Sequence, residues 1–100
     1  MAASLRPPGL LTEIKRVLRV TSSAFDGEVG MLADAAIADM TRAGVSESCV
    51  GEMGPLVRQA VCLYCKANFG FDNDEAARLQ ESYRQTVVDL LNSDANGAAQ

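Results

Sequence analysis

Between positions 75 and 91 apolar residues return every fourth position, as Leu79, Tyr83, Val87 and Leu91, with Ala76 and Leu90 beside them. A strand alternates its faces with a period of two, whereas a helix turns once in about 3.6 residues, so this spacing gathers the apolar set on one helical stripe. The same signature recurs in three earlier segments, and glycine, proline or serine punctuates each join. Four amphipathic helices around one shared core are therefore the expected fold: an all-α, small four-helix bundle.

The first helix is expected over 13–19, with Thr12 as its N-cap and Leu11 just before it. Ile14, Val17 and Leu18 form its apolar stripe, while Lys15, Arg16 and Arg19 take the other face and the last turn, where cations suit the helix dipole. Ser23 with Asp26 resembles a capping box for a second helix over 24–42, whose stripe is Phe25, Val29, Leu32, Ala36 and Met40, widened by Ala33 and Ile37. Gly44 is a natural stop, in the left-handed conformation that glycine tolerates. Gly30 inside this helix either costs about 1 kcal/mol relative to alanine or marks a close helix contact.

Residues 44–54 read as a loop anchored by Val45 and Val50. Pro55 stands where a first turn accepts proline and opens a third helix over 55–68. That helix is apolar on more than one side, with charge limited to Arg58 and Lys66, so it is expected at the centre of the bundle. The turn Phe69-Gly70-Phe71-Asp72-Asn73-Asp74 follows, with Asn73 or Asp74 capping the fourth helix over 75–91. Pro7-Pro8-Gly9 makes residues 1–9 a flexible arm, and the small polar run over 92–100 makes a flexible tail. The folded domain is thus expected over 10–91.

One hundred residues make one domain, and its core is marginal when alone, so stability is expected to come partly from neighbouring subunits. The net charge is −4 with no histidine, which disfavours nucleic acid as the main partner. Charge is also uneven. Residues 1–20 hold Arg6, Lys15, Arg16 and Arg19 against Glu13 alone, and the acidic excess lies in the rest of the chain. A basic first element that docks on an acidic neighbour follows from this, or simply a solvated surface.

Chemistry is harder to place. Without histidine, and with only Lys15 and Lys66 as amines, no nucleophile–base pair can be named, and no phosphate-binding glycine loop is present. Cys62-Leu63-Tyr64-Cys65 has Cys-x-x-Cys spacing but sits inside a helix. Three cysteines without histidine cannot complete a four-ligand zinc site, so buried free thiols made in a reducing cytoplasm are expected. Asp72, Asp74 and Glu75 lack the glycine and the closing glutamate of a calcium loop and read as helix capping. A helix-turn-helix would place the acidic second helix against phosphates. No run has the length of a signal peptide or membrane span.

The stretch Leu11-Thr12-Glu13-Ile14-Lys15-Arg16-Val17-Leu18-Arg19-Val20 resembles the opening of the phage head–tail connector (adaptor) family of long-tailed bacteriophages. Asp26 to Gly44, ending in Thr41-Arg42-Ala43-Gly44, is similar to that family's long helix and its closing turn. The run from Arg58 to Gly70 looks like its proline-started helix, and Asp72-Asn73 and Tyr83 continue the likeness, which covers nearly all of 10–91. One departure is that Asp72-Asn73-Asp74-Glu75 lacks the arginine of the family's Asn-Arg-Glu-like segment.

The resemblance implies a non-enzymatic structural virion protein without cofactor or metal. It would be a homo-oligomeric ring of about a dozen copies, sited at the head–tail junction beneath the portal protein. That ring would join the DNA-filled head to the next head-completion or tail-proximal connector protein, with DNA only as passing cargo and no membrane contact. Candidate protein-interaction residues are Lys15, Arg16 and Arg19 on the basic first helix, Arg58 on the third, and Asp72 and Asp74 in the turn. The competing expectation is a small helical regulatory module that docks on another protein and has no virion role.

Overall fold

The computed structural model describes residues 9–69 and 74–92. Among them the chain is helical without strand: α1 (Leu10–Leu18), a 3-10 turn (Ser23–Phe25), α2 (Asp26–Ala43), α3 (Glu47–Glu52), α4 (Pro55–Asn68) and α5 (Ala76–Leu91). The all-α bundle of four longer helices stands, with α3 added as a short fifth. Most of the two expected arms, and both Asp72 and Asn73, lie outside the described residues.

The helix α1 begins earlier than its polar sequence suggests. Gly9, in the left-handed region at φ 87°, is the capping residue, and Glu13 N–H donates to its carbonyl at 3.1 Å. Thr12 is therefore an exposed residue within the helix, not its cap. The earlier start places Leu10 one turn before Ile14, and both are buried, which outweighs a side-chain cap of about 1 kcal/mol. At the other end Arg19 leaves the helix at φ 62°. Its N–H reaches the Arg16 carbonyl at 3.2 Å and Val20 N–H the Lys15 carbonyl at 2.9 Å, a Schellman turn.

Ser22, not Ser23, supplies the next cap. Its Oγ accepts from Ala24 N–H at 3.1 Å, and Ser23 opens the 3-10 turn that precedes α2. Phe25 consequently falls outside the α2 core stripe. It is 43% exposed and rests edge-on against Phe69, with ring centroids 5.6 Å apart. The rest of that stripe is as the spacing predicts, with Val29, Ala33, Ala36, Ile37 and Met40 buried and Leu32 packed beside them. Gly44 closes α2 at φ 117° in a second Schellman turn, which brings Val45 onto Met40.

The expected loop over 44–54 contains α3. Ser46 Oγ accepts from Cys49 N–H at 3.1 Å, so serine caps the helix, and Cys49 and Val50 turn into the core. Cys49 is thus a buried helical residue and not a loop residue. Val45 and Val50 anchor the segment as expected.

Pro55 starts α4, with Val57, Ala60, Val61, Cys65 and Ala67 buried. This helix packs against α1, α2 and α5, the central position that its apolar breadth predicts. Glu75, not Asn73 or Asp74, occupies the capping position of α5, and it makes no side-chain cap. Each fully buried aliphatic side chain, such as Ile14, Val29, Val57 and Val61, contributes about 1.5–3 kcal/mol to this core.

Candidate interaction surface

Two ion pairs seat α1 on its neighbours. Lys15 Nζ lies 2.7 Å from Asp26 Oδ1 at the start of α2, and its side chain is only 17% exposed. Arg58 on α4 reaches Glu13 Oε1 at 3.4 Å and donates through Nε to the Met53 carbonyl at 3.0 Å. Two of the candidate interaction residues, Lys15 and Arg58, thus tie helices together inside the chain. Arg42 with Asp39, Arg78 with Glu75 and Arg84 with Glu81 pair locally along their own helices.

Arg16 and Arg19 are exposed, and among the described residues neither makes an ion pair. Asp74 is exposed in the turn before α5 and is not joined to any of the four candidate cations. The structure therefore brings Lys15, Arg16, Arg19 and Arg58 onto or against α1 and leaves Asp74 apart from them.

Sequence reasoning missed a groove of about 730 Å³ between α1 and α4. Val17, Met53, Cys62 and Leu63 line its apolar part, with Arg58 and Lys66 among its charged residues. The signal was ambiguous, because Val17 belongs to the apolar stripe with Ile14 and Leu18. Ile14 is fully buried, whereas Val17 is 40% exposed and faces the groove.

The thiols show little readiness for chemistry. Cys65 is completely buried, and burial pushes its pKa up to about 12, with the neighbouring Cys62 adding to the shift. Cys62 is half-buried on the groove wall, and burial first, then the Glu13 carboxylate, raise its pKa. Among the described residues all three cysteines are free, and no group of three or more His, Cys, Asp or Glu comes together to hold a metal. No helix there is long and apolar enough to cross a membrane.

The described residues form an all-α domain with an apolar groove and, beside it, Arg16 and Arg19 without an ion pair among them, which places the chain in the class of small all-helical proteins. Within that class the chain belongs to the phage connector protein family, whose sequence profile matches residues 10–97, from the first residue of α1 to beyond the end of α5. Comparison with curated proteins and with solved structures gives no match.

Proposed function

We propose that the chain is a structural, non-enzymatic subunit of the virion head–tail junction, forming a ring of about a dozen copies between the portal protein and the next tail-proximal connector. Membership of the phage connector protein family over 10–97 carries this reading. The surface supports it. Arg16 and Arg19 stand exposed and without an ion pair among the described residues, as charges available to a neighbour, and the α1–α4 groove leaves apolar area to bury. The net charge of −4 suits a channel through which DNA passes without being held.

In this reading Arg16 and Arg19 contact neighbouring proteins directly. Lys15 and Arg58 act there by holding α1 in place, and Asp72 and Asp74 border a second contact. The test is negative-stain imaging of the phage's own portal with and without the full chain. A new ring of density on the tail-facing side of the portal is expected. Portals that stay bare at every concentration, with the chain remaining a monomer or dimer, would overturn the proposal in favour of a regulatory binding module.

A further inference from the structure

The side chain of Met31 is 74% exposed on α2, the most exposed of the large apolar residues among those described. Its surroundings make it stand proud. Gly27 lies one turn before it, Ala35 one turn after and Ala38 two turns after, all on the same side of the helix. A Cβ added at Gly27 would meet nothing within 4 Å, so the space beside Met31 is open. Methionine is flexible and polarizable, and it suits a contact that must mould itself to a partner.

The charges of this ridge and of the α1–α4 groove are opposite. Close to Met31 the ridge carries Glu28 and Asp34, three residues either side of it, whereas Asp26 and Asp39 of the same helix are engaged by Lys15 and by Arg42 and Tyr83 within the chain. The groove is lined by Arg58 and Lys66 against Glu13, and Arg16 and Arg19 stand exposed on and just after α1, while Lys15 is engaged by Asp26. Glu28 is exposed on the turn before Met31, and Arg16 is exposed beside Val17 at the groove. No α2 residue lines the groove, so ridge and groove are separate surfaces of one chain.

We infer that Met31 of one copy inserts into the α1–α4 groove of the next, with Glu28 meeting the Arg16 and Arg58 side of that groove. The inference rests on the ring proposed above and names the two faces that build it. Because the faces differ, the contact is head-to-tail. A contact of this kind leaves a free ridge and a free groove at each end of any short chain of copies and is satisfied completely only by closure.

Cys62 on the groove wall supplies a built-in probe. In the full-length Met31→Cys variant the introduced thiol should lie against Cys62 of the adjacent copy. A short bis-maleimide should then give dimers, trimers and higher products on a denaturing gel, at a concentration where imaging shows assembly. The ladder should vanish in Met31→Cys combined with Cys62→Ser, and it should not form with Val88→Cys, an exposed position on α5. A second variant, Met31→Arg, should weaken self-association about tenfold while leaving the thermal unfolding midpoint unchanged.

Products that stop at the dimer would overturn the inference, since they report a two-fold contact. Rings seen by imaging without Met31→Cys cross-links, or rings indifferent to Met31→Arg, would overturn the ridge-and-groove pairing while leaving the ring itself standing. Absence of any assembly, on portals or alone, would remove both.

Discussion

The Tyr83 hydroxyl donates to Asp39 Oδ2 at 2.7 Å and so joins α5 to α2 across the flank of α4. The Tyr83 ring is buried and meets Tyr64 of α4 edge-on, with centroids 5.2 Å apart, so the hydroxyl is aimed by packing. The donated bond is the largest influence lowering the Asp39 pKa. Burial opposes it and Arg42 adds to it.

Replacing Tyr83 by Phe should therefore cost about 1 kcal/mol at pH 7, measured by urea unfolding. The pH dependence has a definite sign. A carboxylate whose folded pKa lies below its unfolded value, about 3.9, adds stability above that value and loses it as pH falls through the folded pKa. The gap between wild type and Tyr83→Phe should hold from pH 5 to 7 and narrow below about pH 4. A gap that widens in acid would contradict the assignment.

Arg19 and Gly44 offer a matched pair of turns. Both lie in the left-handed region, but only Gly44 adopts it without strain. Gly44→Ala should destabilise by about 1 kcal/mol through its left-handed φ of 117°, since the new Cβ would meet Leu91 only at an ordinary contact distance of 3.4 Å. Arg19→Gly should instead stabilise by about 0.5–1 kcal/mol. If Arg19 touches a neighbouring protein, the same substitution should raise the melting temperature and weaken ring formation together. A raised melting temperature with ring formation unchanged would show that Arg19 acts only on the fold, and a lowered one would contradict the strain at this turn.

Thiol accessibility separates the three cysteines. In the folded chain a disulfide-exchange reagent at pH 8 should titrate Cys62 alone, and slowly. Cys49 and Cys65 should react only after denaturant is added. Rapid reaction of Cys65 in the native state would contradict its position in the core.

Neighbouring positions on α1 should respond in opposite ways. Ile14→Ala removes a fully buried side chain and should cost about 2–4 kcal/mol. Val17→Ser changes a residue 40% exposed in the groove and should cost under about 1 kcal/mol while impairing self-association. Equal losses of stability at both sites, read from denaturant midpoints, would mean that Val17 is a core residue after all.

The long helices were legible because each has room for several repeats of its apolar spacing and ends on a residue with a backbone reason to be there, Gly44 for α2 and Pro55 at the start of α4. The helix α3 was not legible. Its six residues hold fewer than two turns, and Gly51 within it reads as loop. The start of α1 was misread for a different reason. Thr12 is a good cap by type, but burial of Leu10 decides the boundary, and α1 is buried by packing against α2 and the sequence-distant α4.

The candidate surface was legible only in part. The basic character of α1 is plain in the sequence, and Arg16 and Arg19 are exposed there. That Lys15 turns to Asp26 and Arg58 to Glu13 is a fact of helix packing, the second pair lying far apart along the chain. The groove likewise exists only once α1 lies against α4, and Met31 gains meaning only beside it.

The seat of α1 responds to the ionic medium. Of the two pairs that flank its buried Leu10 and Ile14, the one between Arg58 and Glu13 has side chains 53% and 36% exposed. Screening shortens the reach of such charges from about 10 Å in 0.1 M electrolyte to about 3 Å in 1 M. Concentrated brine thus loosens this one tie between α1 and α4, worth about 1 kcal/mol at most for a pair so exposed, while the buried Leu10 and Ile14 keep the helix on its core, giving the domain a single salt-sensitive seam on a firm body.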